Sequence, residues 1–147
     1  MAAGLRFAPL EPDPVLFDPE QTGDFAKELA KEAAKEQLPP WCSWIGWLDG
    51  IPVTMGGFTG PPTEDGTVEI GYLTFTDHQG RGHATALTGF LVATARRGGV
   101  ARIIAHTLSE PNASTRVLEK NGFVRDGEAH DPDAGTVWRW SLCVAEA

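Results

Sequence analysis

Cysteine is nearly absent from this 147-residue chain: Cys42 and Cys143 stand alone, with no CxxC pair. That excludes a disulfide framework and a thiolate zinc site, and two reduced, buried thiols of an intracellular protein are expected. Long apolar runs are absent too. The Met1-Ala-Ala-Gly-Leu-Arg-Phe-Ala-Pro start lacks the apolar region of a signal peptide, and no later stretch approaches membrane-spanning length. The expected location is cytoplasmic, with no membrane partner. Cations are scarce: 12 Lys and Arg face 20 Asp and Glu, a net charge of −8. Such a surface repels nucleic acid and attracts amines, so no nucleic-acid partner is expected. His78, His83 and His130 have no ligand-like spacing, so no metal is expected. No Gly-Lys-Ser/Thr occurs, which removes the Walker phosphate loop.

What is present is an ordinary globular balance of 41% hydrophobic and 22% charged residues. The length suits one domain over residues 1–147 with a core of its own. Residues 1–21 form a Pro-rich, acidic segment with room for a short strand at 5–8. Thr22 or Asp24 can cap a helix running to residue 37, with Phe25, Leu29 and Ala33 along one face, and Pro39-Pro40 stops it. Residues 41–48 and 51–58 read as strands around an Asp49-Gly50 hairpin turn. Further strands are predicted over 67–75, 100–107, 123–127 and 136–142. A helix over 82–97 ends in Arg96-Arg97-Gly98-Gly99, cations and then glycine. A shorter helix runs from an Asn112 cap to Asn121-Gly122, and an acidic loop at Asp131-Pro132-Asp133 joins the last two strands. This order predicts an α/β or α+β sandwich around one mixed sheet.

The densest signal is Val68-Glu69-Ile70-Gly71-Tyr72-Leu73-Thr74-Phe75 followed by Gln79-Gly80-Arg81-Gly82-His83-Ala84. A strand ends in a glycine turn and a helix starts directly behind it. The free N–H groups at that helix start form an anion site. A dinucleotide fingerprint needs a third glycine where Thr85 stands, and an acid near position 100 that is missing. An ordinary strand-to-helix turn stays open on these glycines alone.

Gln79-Gly80-Arg81-Gly82-His83-Ala84 resembles the Gln/Arg-x-x-Gly-x-Gly/Ala signature of the GNAT N-acetyltransferase superfamily, whose loop holds the acetyl-CoA pyrophosphate. Downstream, Asn112-Ala113-Ser114-Thr115-Arg116-Val117-Leu118-Glu119-Lys120-Asn121-Gly122-Phe123 resembles the matching segment of the RimJ/RimL-like branch, which acetylates ribosomal proteins. The resemblance covers residues 41–142. It implies a GNAT fold: a central, mostly antiparallel mixed sheet, splayed at the cofactor site and flanked by helices on both faces. It implies acetyl-CoA as co-substrate and an amine acceptor, either a small molecule or a protein N-terminus. The backbone of Leu73, Thr74 and Phe75 would pair with the pantetheine. Gln79, Gly80, Arg81, Gly82, His83, Ala84 and Thr85 would cradle the pyrophosphate, and Arg81 is equally readable as a surface charge. Glu69, in Glu-Ile-Gly-Tyr, resembles the base-bearing strand of histone acetyltransferases of the same superfamily; a structural glutamate at a strand edge is the alternative. His106 would relay a proton or sit satisfied in its strand.

Two positions depart from the family pattern. The usual asparagine position falls on Pro111, so Asn112 either fills the cofactor-binding role one residue late or caps the helix. Leu118 stands where many members carry the tyrosine that protonates the departing thiolate, which leaves Ser114 as the candidate. The sole tyrosine, Tyr72, lies earlier, on the strand. A non-catalytic acyl-CoA-binding module on the same fold therefore stays open. Trp41, Trp44, Trp47, Trp138 and Trp140 fit core packing, an acceptor-pocket wall or the face of a homodimer.

Overall fold

The computed structural model describes residues 5–10, 18–22 and 38–144. Strand β1, Leu5–Pro9, and a single helical turn α1, Pro19–Thr22, come first. The hairpin β2 (Ser43–Leu48) and β3 (Ile51–Phe58) follows. Its turn places Asp49 at φ 51° and Gly50 at φ 79°, the two left-handed residues that match a hairpin's twist. Then come β4 (Thr67–Thr74), a 3₁₀ turn (Thr76–His78) and helix α2 (His83–Arg97). Strand β5 (Arg102–Leu108), helix α3 (Ala113–Lys120), β6 (Val124–Asp131) and β7 (Gly135–Cys143) complete the described chain.

The seven strands form one sheet in the order β1-β2-β3-β4-β5-β7-β6. Only β4 and β5 run parallel; the other pairs are antiparallel. A parallel pair needs a crossover, and α2 supplies it. Leu87, Leu91 and Ala95 recur at helical spacing and bury against Val68, Ile70 and Ile103 of the sheet. Leu118 of α3 joins the same core, so both helices cover one face. Ile45, Met55 and Phe75 form a smaller cluster, with Leu73 packed against it.

The sheet and its helices match the mixed α/β expectation, with boundary differences that have local causes. The strand expected from residue 100 starts at Arg102, because the Val100 N–H closes the end of α2 on the Ala95 carbonyl at 3.1 Å. The acidic loop is a tight turn: the Asp131 carboxylate accepts the N–H groups of Asp133 and Ala134 at 2.8 and 2.9 Å, which lets β6 run on to Asp131. The helix expected to run to residue 37 falls on residues 23–37, outside the described residues. Cys42 is buried as expected, and burial pushes its thiol pKa up; Cys143, expected buried, is exposed because strand alternation turns it away from the core side of Trp140, Leu142 and Val144. Trp41, Trp44, Trp138 and Trp140 pack in or against the helix-side core, with the Trp140 indole donating to Thr107 Oγ1 at 2.9 Å.

Candidate active site

The site begins where the parallel pair fails. β4 and β5 pair only from Thr67 opposite Arg102 to Glu69 opposite Ile104. Beyond that point β4 stays with β3 as far as Thr74, β5 stays with β7 as far as Leu108, and a gap opens between them. Antiparallel pairing turns alternate residues toward each neighbour. The Phe75 N–H donates to the Val53 carbonyl at 3.0 Å, so Phe75 and Leu73 face β3, while Tyr72 and Thr74 turn their backbone groups toward the gap.

One cleft, of about 440 Å³, lies between the end of β4, the glycine loop and α3. Gly80 and Gly82 have φ of 78° and 82°, a conformation glycine adopts without strain. Gly82 is the N-cap of α2 and offers no side-chain cap, so the first N–H groups of the helix, from His83, Ala84 and Thr85, stay available to an anion. Among the described residues nothing lies within 4 Å of where a Cβ would stand on either glycine. Opposite the loop, Arg116 and Lys120 of α3 line the same cleft. Asn121 ties the two helices together through its side-chain amide, which donates to the Thr85 carbonyl at 3.3 Å.

A second cleft, of about 550 Å³, opens on the other side of Ser114. Glu69 and His106, one on each parting strand, meet there with Oε2 and Nδ1 at 3.1 Å. Asn112, Leu108, Val137 and Asp131 help enclose it. The turn N–H groups hold the Asp131 carboxyl below the usual carboxylate range, with smaller help from His130 and His106. Ser114 lines both clefts and therefore marks the passage between them. The Tyr72 hydroxyl reaches it there, donating to the Ser114 carbonyl at 2.9 Å and lying 3.0 Å from its Oγ.

Residues 6–124 match the family described as Acetyltransferase (GNAT) domain. The chain belongs to the GNAT acetyltransferase family. A relative by sequence is YjdG of Bacillus subtilis (strain 168), an uncharacterized N-acetyltransferase, 36% identical over 102 residues; the match spans 68% of this chain and 60% of that protein. In fold, the chain is similar to a spermidine N-acetyltransferase chimera of the Vibrio cholerae SpeG and hSSAT, with TM-score 0.79, 15% identity, and 97% and 96% of the two chains covered. It is also similar to yncA of Salmonella typhimurium, solved with its cofactor acetyl-CoA, with TM-score 0.69, 21% identity, and coverage of 98% and 96%.

Within this GNAT domain the residues singled out from sequence separate into two groups. Leu73, Thr74, Gln79, Gly80, Gly82, His83, Ala84 and Thr85 line the glycine-loop cleft. Phe75 does not: it is fully buried and its N–H is spent on β3. Arg81 is exposed and lies off the cleft lining. The His83 side chain is buried, so only its backbone can serve a ligand; burial, then the nearby His78 and Arg81, depress its pKa. Asn112 lines the second cleft, and its Oδ1 is occupied as the α3 cap by the Thr115 N–H at 3.0 Å. Glu69 and His106 come together as a pair. None of the five tryptophans lines the cleft that holds Glu69.

Sequence reasoning missed Tyr72, Arg116 and Lys120. Arg116 and Lys120 lie four apart, one turn of helix, which puts them on one face of α3, and that spacing was readable. The meeting of Tyr72 with Ser114 was not, because 42 residues separate them.

Proposed function

We propose that the protein is an acetyl-CoA-dependent N-acetyltransferase that moves an acetyl group to a primary amine by direct attack on the thioester. The observation that carries this reading is the parting of β4 and β5 with an anion-ready cleft on one side and the Glu69–His106 pair on the other. The first cleft fits the cofactor. Its uncapped helix start and bare glycines suit a pyrophosphate, and Arg116 and Lys120 add cations to a chain of net charge −8. Acetyl-CoA supplies an acyl group activated by its thiol leaving group.

The residues divide the work by position. The gap-facing backbone of Tyr72 and Thr74 holds the extended arm like an added strand and polarises the thioester carbonyl. Glu69 accepts the proton of the attacking amine, directly or through one water, and His106 carries it on toward solvent. The new C–N bond forms as the C–S bond breaks; the departing thiolate is stabilised by a hydrogen bond from the Ser114–Tyr72 hydroxyl pair and takes its proton from solvent. A primary amine of the lysine type has pKa ~10.4 and an α-amine ~8, so a base is needed for either acceptor and less work is needed for the second. No step requires a covalent enzyme intermediate. The Ser114-to-Phe123 segment supports a place in the RimJ/RimL-like branch, with a small amine or a protein N-terminus as acceptor.

Saturating acetyl-CoA should raise the melting temperature, since a ligand at a hundred times its Kd stabilises by ~2.7 kcal/mol. A screen of primary amines with thiol detection then reads transfer. No thermal shift overturns the cofactor assignment; a shift with no thiol release from any amine leaves a binding module in its place.

A further inference from the structure

The turn that joins β4 to the glycine loop has no core of its own. In the 3₁₀ turn Thr76–His78 no residue is buried, and Phe75, at its start, supplies no side-chain cap. Hydrogen bonds must therefore fix it. The His78 N–H donates to the Phe75 carbonyl at 2.8 Å. On the cleft side, Gln79 Nε2 donates to the Thr74 carbonyl at 3.3 Å, and both residues line the glycine-loop cleft. On the other side the bonds come from Gln21 of α1, 55 residues from Thr76 and 56 from Asp77 in sequence. Gln21 Nε2 donates to Asp77 Oδ2 at 2.6 Å, the Asp77 N–H donates to Gln21 Oε1 at 3.2 Å, and Thr76 Oγ1 donates to the Gln21 carbonyl at 3.2 Å.

These three bonds form a clamp. Both ends of one amide engage the backbone and the side chain of Asp77, which fixes the orientation of that residue as well as its place, and the bond to its carboxylate is charge-assisted. The clamp stands on a docked element: Thr22 beside it is 2% exposed, and its N–H and its Oγ1 both donate to the Asp18 carbonyl at 3.0 Å. Asp77 lies two residues before Gln79 yet is absent from the cleft lining. The clamp thus turns toward α1 a carboxylate that shares its sign with a pyrophosphate.

We propose that Gln21 is a positioning residue for acetyl-CoA binding. By holding Thr76 and Asp77 it keeps Thr74 and the glycine loop in their binding geometry before the cofactor arrives, and it keeps the Asp77 carboxylate off the phosphate path. A loop that is already ordered loses less freedom on binding, and the difference is read as affinity. This inference rests on the acetyltransferase reading above.

The test is calorimetric titration of acetyl-CoA into the wild type, Gln21→Met, Gln21→Glu, and Gln21→Glu combined with Asp77→Asn. Methionine keeps the length of the side chain and gives up its hydrogen bonds. Glutamate sets two carboxylates face to face; asparagine at 77 then donates to it, which restores the bond in the reverse direction and the net charge of the wild type. Kd should rise about tenfold in each single variant and return to within about threefold of wild type in the double variant. Each titration is run well below the melting temperature, where a bond that only stabilises the fold leaves Kd unchanged. A Kd for Gln21→Met within about twofold of wild type overturns the proposal, even if that variant melts earlier. A double variant that binds as weakly as Gln21→Glu overturns it too, because the paired groups are then not what sets affinity. A wild type that gives neither binding heat nor a melting shift with acetyl-CoA overturns the underlying cofactor reading and this proposal with it, a result distinct from tight binding in every protein.

Discussion

The Tyr72 hydroxyl has one proton and two Ser114 oxygens within reach. When its proton turns to Ser114 Oγ, the Ser114 hydroxyl is free to point at the sulfur, so the two form a short donor chain at the junction of the clefts. Burial pushes the Tyr72 pKa up to about 12, against the opposing pull of the Ser114 bond. The phenol therefore stays protonated at neutral pH and can stabilise sulfur as charge develops on it. Tyr72→Phe should lower kcat by about tenfold to a hundredfold with little change in KM for acetyl-CoA. An unchanged kcat in steady-state assay would remove Tyr72 from the chemistry. His83 makes a different prediction. Its Nε2 is buried and has no partner among the described residues, and burial is the leading cause of its depressed pKa. An unfolded histidine titrates near 6.5, so below that pH the unfolded state takes up a proton that the folded state refuses. Stability should fall as pH drops below ~6.5 and level off beneath the folded pKa. His83→Leu should flatten this part of the melting-temperature curve; an identical slope in the variant would place the titration elsewhere.

At the scale of the element, the strand–turn–helix unit from β4 to α2 carries the cofactor argument. Gly82 can take φ of 82° freely, and a branched residue there costs about 1–2 kcal/mol. No described atom stands within 4 Å of its Cβ position, so Gly82→Val should still fold, with a lowered melting temperature. The new side chain would project where the pyrophosphate must approach the helix start, and the acetyl-CoA-induced shift should vanish. Survival of that shift in a thermal melt would move the phosphate site away from the loop. This unit was readable because each part is local: β-prone residues, two glycines, then an apolar helical stripe ending in Arg96-Arg97-Gly98. The Asp49-Gly50 hairpin was readable for the same reason. The Asn112 cap was legible as a cap, and its capping box with Thr115 commits its Oδ1 to the helix start. What local pattern could not reveal is the failure of pairing after Glu69, which depends on β3 and β7 drawing β4 and β5 apart. Hence the strand residues around Leu73 were identified as a group, while their alternation, with Thr74 toward the gap and Phe75 toward β3, needed the register.

Across the whole molecule, charge is distributed against one substrate and toward the other. The net charge of −8 repels the phosphates of acetyl-CoA, and Arg116 and Lys120 offset that repulsion only at the glycine-loop cleft. The acceptor cleft needs no such offset, because Glu69 and Asp131 share the sign of the surrounding surface. A cationic amine is thus drawn down the field of the whole protein toward the base that will deprotonate it. Screening tests this. The Debye length falls from ~10 Å at 0.1 M salt to ~3 Å at 1 M, which removes long-range attraction and leaves contacts within the cleft. At a pH where both of its nitrogens are protonated, ethylenediamine approaches with two positive charges, whereas ethylamine approaches with one. With acetyl-CoA saturating, kcat/KM for ethylenediamine should therefore drop more steeply with added salt than kcat/KM for ethylamine. Parallel salt dependences for the two amines would mean that the field does not guide the acceptor, and that shape alone, along the wall formed by Leu108 and Val137, selects it.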